Sequence, residues 1–242
     1  MDGFEGYVGI RLWDGQMIDD IIFFLLMVLF ISFALIYRTN YQLFFKMLHD
    51  VVYMKERSNL FEKKMVGNEW LFQHFMNFQA LFLCSLGLFS IVRIYGYVDH
   101  LKESAIWFFV GMLVLLLLLF YCFKQCFYRL FGSVFVENDR YKFWKANYNA
   151  VIGTWGVLQY IPVVWMAFVG TRPILPVVLF AFLYLLCRFA IIYKTIRIFH
   201  RNNTSLLYIS LYLCGQEIIP LLFLYKGIIY LYNFIGNSAI WH

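Results

Sequence analysis

Apolar residues run through this chain in blocks of about twenty, and polar residues gather in the gaps between them. Six blocks stand out, at about 17–37, 70–93, 104–124, 148–169, 174–197 and 206–227, each closed by charges or by clusters of Gly, Pro and Asn. A helix rises 1.5 Å per residue, so a block of this length matches the hydrocarbon thickness of a bilayer. The pattern predicts six transmembrane helices. Residues 40–57, between the first two, read differently. Tyr41, Phe44, Leu48, Val51 and Val52 share one helical stripe, with Lys46, Asp50, Tyr53 and Arg57 elsewhere around the axis. That predicts an amphipathic helix lying flat on the membrane surface, either as a plain anchor or as a dock for anionic lipid or a partner.

Composition supports the pattern. Of 242 residues, 63% are hydrophobic and only 14% charged, whereas soluble domains carry roughly a quarter charged residues. The expected fold class is an all-α integral membrane protein: one domain over 1–242, a bundle of six spans plus the interfacial helix. The start, "MDGFEGYVGIRLWDGQMIDD", is acidic and has no basic stretch ahead of a short apolar core. The first block is therefore expected to be a retained span, not a removed leader.

Charge changes the picture by adding direction. Positive residues lie 14 against 5 in favour of the loops after spans one, three and five, with Arg188 left inside a span. Those loops are expected in the cytoplasm, which places both termini outside it. Aromatic and basic residues alternate in "FKQCFYRLFGSVFVENDRYKFWKANYN". At a bilayer boundary this is the ordinary aromatic belt, so no nucleic-acid partner is expected, only membrane lipid and a membrane-protein partner or second copy.

Candidate chemistry is sparse. No HExxH, GxSxG, GxxxxGK[ST] or GxGxxG pattern occurs, and of the histidines only His74 falls in a span. Catalytic residues, metal ligands and cofactors are accordingly expected to be none. Cys122 and Cys126 sit one turn apart without a further ligand beside them, which reads as packing. Asp14, Asp19 and Asp20 are the sole acidic cluster that could serve an intramembrane enzyme, and acids at that place ordinarily mark the edge of a span.

What remains is polarity at membrane depth. Arg188 lies fourteen residues into span five, roughly 21 Å at 1.5 Å per residue, and Glu217 eleven residues into span six from the other side. A charge at that depth costs about 2.5–3.5 kcal/mol, so each should turn inward and seek the other. Pro220 has no N–H and so leaves the carbonyl of Gln216 without its helical donor beside Glu217. Tyr184 and Ser210 place hydroxyls on the same helical faces. Gln73, His74 and Asn77 form a second polar stripe with Cys84 and Ser85, read either as helix-to-helix glue or as the wall of a polar cavity. Spans four and six both carry Gln ahead of Pro, in "QYIP" and "QEIIP", a thin hint of an internal repeat.

The run "LYLCGQEIIPLLFLYK" resembles the C-terminal signature of a family of bacterial multi-helix inner-membrane proteins catalogued as a domain of unknown function. Leu211, Tyr212, Leu213, Cys214, Glu217, Ile218, Pro220 and Lys226 match its spacing, and "CRFAIIYKTIRIF" is similar to its preceding helix, with Arg188 at the matching place. Gly215 and Gln216 depart from the apolar pair that pattern carries. The resemblance implies an inner-membrane helical bundle and no particular activity, ligand or cofactor. Two functions fit: a non-enzymatic accessory, assembly or scaffold component, or a small carrier for a lipid-linked or amphipathic substrate with Glu217 and Arg188 as its midplane site.

Overall fold

In the computed structural model the described residues are 16–52, 67–96, 103–135, 138–168, 174–199 and 219–240. They form eight helices: α1 Gln16–Thr39, α2 Tyr41–Val52, α3 Gly67–Ile94, α4 Glu103–Phe135, α5 Asn138–Leu158, α6 Tyr160–Phe168, α7 Ile174–Phe199 and α8 Ile219–Ile240. Five stretches are long and apolar enough to cross a membrane: Ile18–Thr39, Glu69–Ile94, Ala105–Arg129, Tyr141–Phe168 and Ile174–Ile198.

The first helix shows why these segments suit lipid. Ile18, Ile22, Leu26 and Leu29 are buried at helical spacing. The opposite face, which a soluble protein would charge, carries Phe23, Phe24, Met27, Phe30, Ile31 and Leu35, all exposed. α7 repeats the arrangement with Val178, Phe182, Leu185, Leu186 and Phe189.

Central to the bundle is α3, which packs on α1, α4, α5 and α6. Its closest approach is to α5, where small residues let the backbones meet. A Cβ on Gly156 would stand 2.6 Å from Ala80 Cβ and 2.9 Å from its Cα, and one on Gly153 would stand 2.8 Å from Met47 Sδ. α8 packs along α4.

The chain turns from α1 into α2 at Asn40. Its N–H donates to the Ile36 carbonyl at 2.9 Å, and its own carbonyl accepts the amides of Leu43 and Phe44. One short polar residue therefore ends one helix and starts the next. Ion pairs tie the two ends of α3 to α1 and to α2. Arg93 pairs with Asp19 at one end, and Lys46 of α2 pairs with Glu69 at the other. Asp19 of the acidic cluster is thus paired with Arg93. The Asp19–Arg93 pair is a quarter exposed on each side. Asp19→Arg is expected to lower Tm by roughly 2–4 °C, the equivalent of about 1 kcal/mol, and the exchanged pair Asp19→Arg with Arg93→Asp to restore it.

Several boundaries differ from the sequence reading. The fourth span begins ten residues earlier, at Asn138, and is not one helix: it breaks at Gln159 between α5 and α6. Pro162 causes the break, because it has no N–H to return to the Leu158 carbonyl. On either side the ladder continues, from Gln159 N–H to the Trp155 carbonyl (3.0 Å) and from Val163 N–H to the Gln159 carbonyl (3.2 Å). The helix of the third span, α4, runs on to Phe135. The last described helix extends to Ile240, thirteen residues past the end read for span six, and includes Pro220; 206–218 lie outside the described residues. Within 40–57 the helix is described as Tyr41–Val52. The face it buries is Leu43, Phe44, Met47 and Val51 against α1, α3 and α5, while Tyr41 is 53% exposed. The stripe is rotated from the one read in sequence, because the notch at Gly153 receives Met47.

Candidate functional site

The interior is divided along the bundle axis. At the end holding the start of α1, the core is apolar: Ile22, Leu26, Leu83, Leu86, Phe89, Phe109, Leu113, Val163 and Phe180 pack together. Ser85 and Ser90 are buried there and each donates to the carbonyl four residues back in α3. The end holding α2 buries Asn77, Gln79, Lys124, Asn147, Asn149, Lys194 and Thr195, with Gln159 at the division.

Two networks organise the α2 end. In the first, Asn149 of α5 donates to Gln73 Oε1 (3.3 Å), and Asn77 of α3 donates to Tyr121 OH of α4 (3.0 Å) and to Asn149 Oδ1 (3.4 Å). Three helices are thereby pinned by neutral groups. In the second, the Lys194 ammonium of α7 donates to Asn147 Oδ1 (3.0 Å) and to the backbone carbonyl of Asp50. Lys194 thereby joins α7 and α5 to the backbone of α2. Beside it Trp144 donates to Thr195 Oγ1 (3.0 Å) and stacks on Tyr148. A cavity of about 10 Å³, lined by Trp144, Asn147, Tyr148, Val151, Ile191 and Lys194, has room for one water.

Higher in the bundle, Arg188 Nε donates to Tyr184 OH at 2.9 Å and its guanidinium lies over the Tyr184 ring, 4.9 Å from the centroid. The same ring meets Trp155 of α5 edge to face at 6.0 Å. Gln159 is one turn beyond Trp155, fully buried, and neither end of its amide has a hydrogen-bond partner among the described residues. The same holds for Gln79 of α3.

The residues singled out by sequence are thus distributed unevenly. Arg188 and Tyr184 are in contact. Ser210, Gln216 and Glu217 lie outside the described residues. Gln73 and Asn77 join one network, but His74 does not: it is exposed, its Nδ1 is 2.9 Å from the Trp70 carbonyl, and it stacks on that indole. Sequence reasoning missed Lys194, Asn147 and Asn149. Lys194 stands near the end of its span, where a lysine reads as a loop charge, and nothing local shows that α2 folds back over it.

Membrane-length apolar helices with lipid-suited outer faces and a polar interior confined to one end define a multi-helix membrane protein. A family model described as "Domain of unknown function (DUF4271)" matches residues 22–228, and the chain belongs to that family. No curated protein and no solved structure matches it.

Proposed function

We propose that this protein is a non-enzymatic, multi-pass component of a bacterial inner membrane that serves as an accessory, assembly or scaffold subunit. In this reading 1–242 is one membrane domain of six spans, the sixth including α8, with α2 at the cytoplasmic face and both termini outside it. The distribution of positive residues supports the orientation: Arg38, Lys46, Lys124, Arg129, Lys142, Lys145, Lys194 and Arg197 all belong to the α2 end.

The observation that carries the reading is how the polar groups are used. Lys46 with Glu69, Arg93 with Asp19, Lys194 with α2, and the amides of α3 and α5 cross-link helices to each other. The cavity beside Lys194 admits one water. What faces outward is apolar and aromatic, a surface for lipid and for another membrane protein or a second copy. Photocrosslinkers at Phe24 of α1 and Phe182 of α7 should each give one defined protein adduct in cells; adducts with lipid alone at both positions would sink the proposal.

A second reading, a carrier with Arg188 and Glu217 at its midplane, draws support from the unpartnered amides of Gln79 and Gln159. It requires that Glu217→Gln and Arg188→Ala change transport or growth at unchanged protein level. Unchanged phenotypes for both variants would exclude it.

A further inference from the structure

The outer faces of α1 and α7 are apolar and suit lipid, but the outer face of α8 differs from them. Lys226, Tyr230 and Asn233 stand on it at i, i+4 and i+7, within about 60° of one another at 100° per residue. All three are exposed, Tyr230 by 74%. Among the described residues none of them has a hydrogen bond or an ion pair.

The depth of this stripe follows from what α8 packs on. A Cβ on Gly227 would stand 3.4 Å from Leu116 Cδ1, and Leu231, one turn on, lies in the apolar core with Phe109, Val110 and Leu113 of α4. α8 therefore runs antiparallel to α4, with Gly227 level with Leu116. Leu116 is eleven residues from Ala105 and thirteen from Arg129, the two ends of the span on α4. Lys226 accordingly sits at the middle of the bilayer, about half of a roughly 30 Å hydrocarbon layer from either face. That is further than a four-carbon stem reaches, so the ammonium cannot snorkel to a headgroup. The same depth excludes a lipid phosphate as its partner, because phosphates stay at the two faces.

What answers an ammonium at this depth is a carboxylate, and in hydrocarbon a carboxylate arrives on a helix. We propose that the Lys226 face of α8 docks a transmembrane helix of a different membrane protein, one that carries an Asp or Glu at its middle. Tyr230 and Asn233 offer hydrogen bonds to the same helix, one and two turns further along α8. A second copy of this chain does not fit. In the described helices Asp19, Asp20 and Glu103 stand at one end of the bundle and Asp50, Glu69 and Asp139 at the other, so none is level with Lys226. The pair also selects the partner, since a helix without an acid would cover the ammonium and leave it unanswered. The inference rests on the reading of the protein as an accessory or assembly subunit, and adds the chemistry of what it holds.

A photocrosslinker at Ile229, which is exposed beside Lys226 on the same face, tests this in cells with the full chain. It should give one protein adduct, to an apolar segment of about twenty residues with an Asp or Glu near its centre. Lys226→Met should cut the yield about tenfold, and Lys226→Arg should keep most of it. Lys226→Glu should lose the adduct and regain it when the partner's acid is exchanged for Lys. In detergent, Lys226→Met should melt with the parent chain, because the ammonium holds nothing within it. Adducts with lipid alone, with a second copy or with a segment lacking an acid would overturn the proposal. So would a yield indifferent to Lys226→Met, or a lower Tm for that variant. Protein adducts at Phe24 and Phe182 beside a lipid-only adduct at Ile229 would overturn this inference alone and leave the scaffold reading standing.

Discussion

Gly156→Leu should leave little folded protein in the membrane fraction. Even the first atom of a side chain at this position would stand 2.6 Å from Ala80 Cβ and 2.9 Å from its Cα. The obstacle is backbone, which cannot rotate aside, so α3 and α5 must separate. Overpacking of this kind costs typically about 1–3 kcal/mol for a few methylenes and more where the backbone itself is displaced. Separation would also stretch the Asn149 bonds to Asn77 and Gln73 just below the contact. Gly156→Ala should retain the fold with a Tm lower by several degrees. Melting curves in detergent, read beside Gly111→Ala, where nothing lies within 4 Å, separate the contact from a general effect of losing a glycine.

Lys194→Met should release α2. Methionine keeps most of the buried stem but not the donors to Asn147 Oδ1 and the Asp50 carbonyl. Each charge-assisted bond is worth about 1.5–3 kcal/mol. Not all of α2 is lost, since Met47 remains seated at Gly153 and Lys46 on Glu69. The expected outcome is faster proteolysis between α2 and α3, a lower Tm, and little change in protein level. Lys194→Arg should not rescue: a planar guanidinium cannot occupy the space of an ammonium between two oxygens at this depth. Protection of α2 equal to the parent chain in Lys194→Met would show that the apolar face alone holds it.

How much of this was legible in the sequence follows from which forces act locally. The blocks at 17–37, 70–93 and 174–197 fall within two or three residues of α1, α3 and α7, because hydrocarbon thickness imposes a length that composition alone reveals. Asn138 to Asn147 read as a polar loop and is helix, since Trp144 and Tyr148 gain their burial from α4 and α7, elements remote in sequence. The break at Gln159 was visible as a Gln and Pro pair, but its effect on the ladder was not drawn. Lys194 escaped for a related reason. A lysine near a helix end ordinarily reaches for the headgroups, and only the return of α2 converts it into a buried donor. Gln79 is some 200° around the axis from Asn77, so a search for one polar stripe passes over it.

The order in which the chain is made gives the α3–α5 contact a consequence of another kind. Asn77 and Asn149 are 72 residues apart, and α4 lies between them. At 5–20 residues per second, α3 waits roughly 4–14 s in the bilayer before Asn149 can reach Gln73 and Asn77, with Tyr121 of α4 the earlier partner of Asn77. Throughout that interval the helix on which the bundle is centred presents the Gln73 amide to the bilayer without its α5 partner, which makes α3 dependent on an insertase or chaperone to shelter it until α5 arrives.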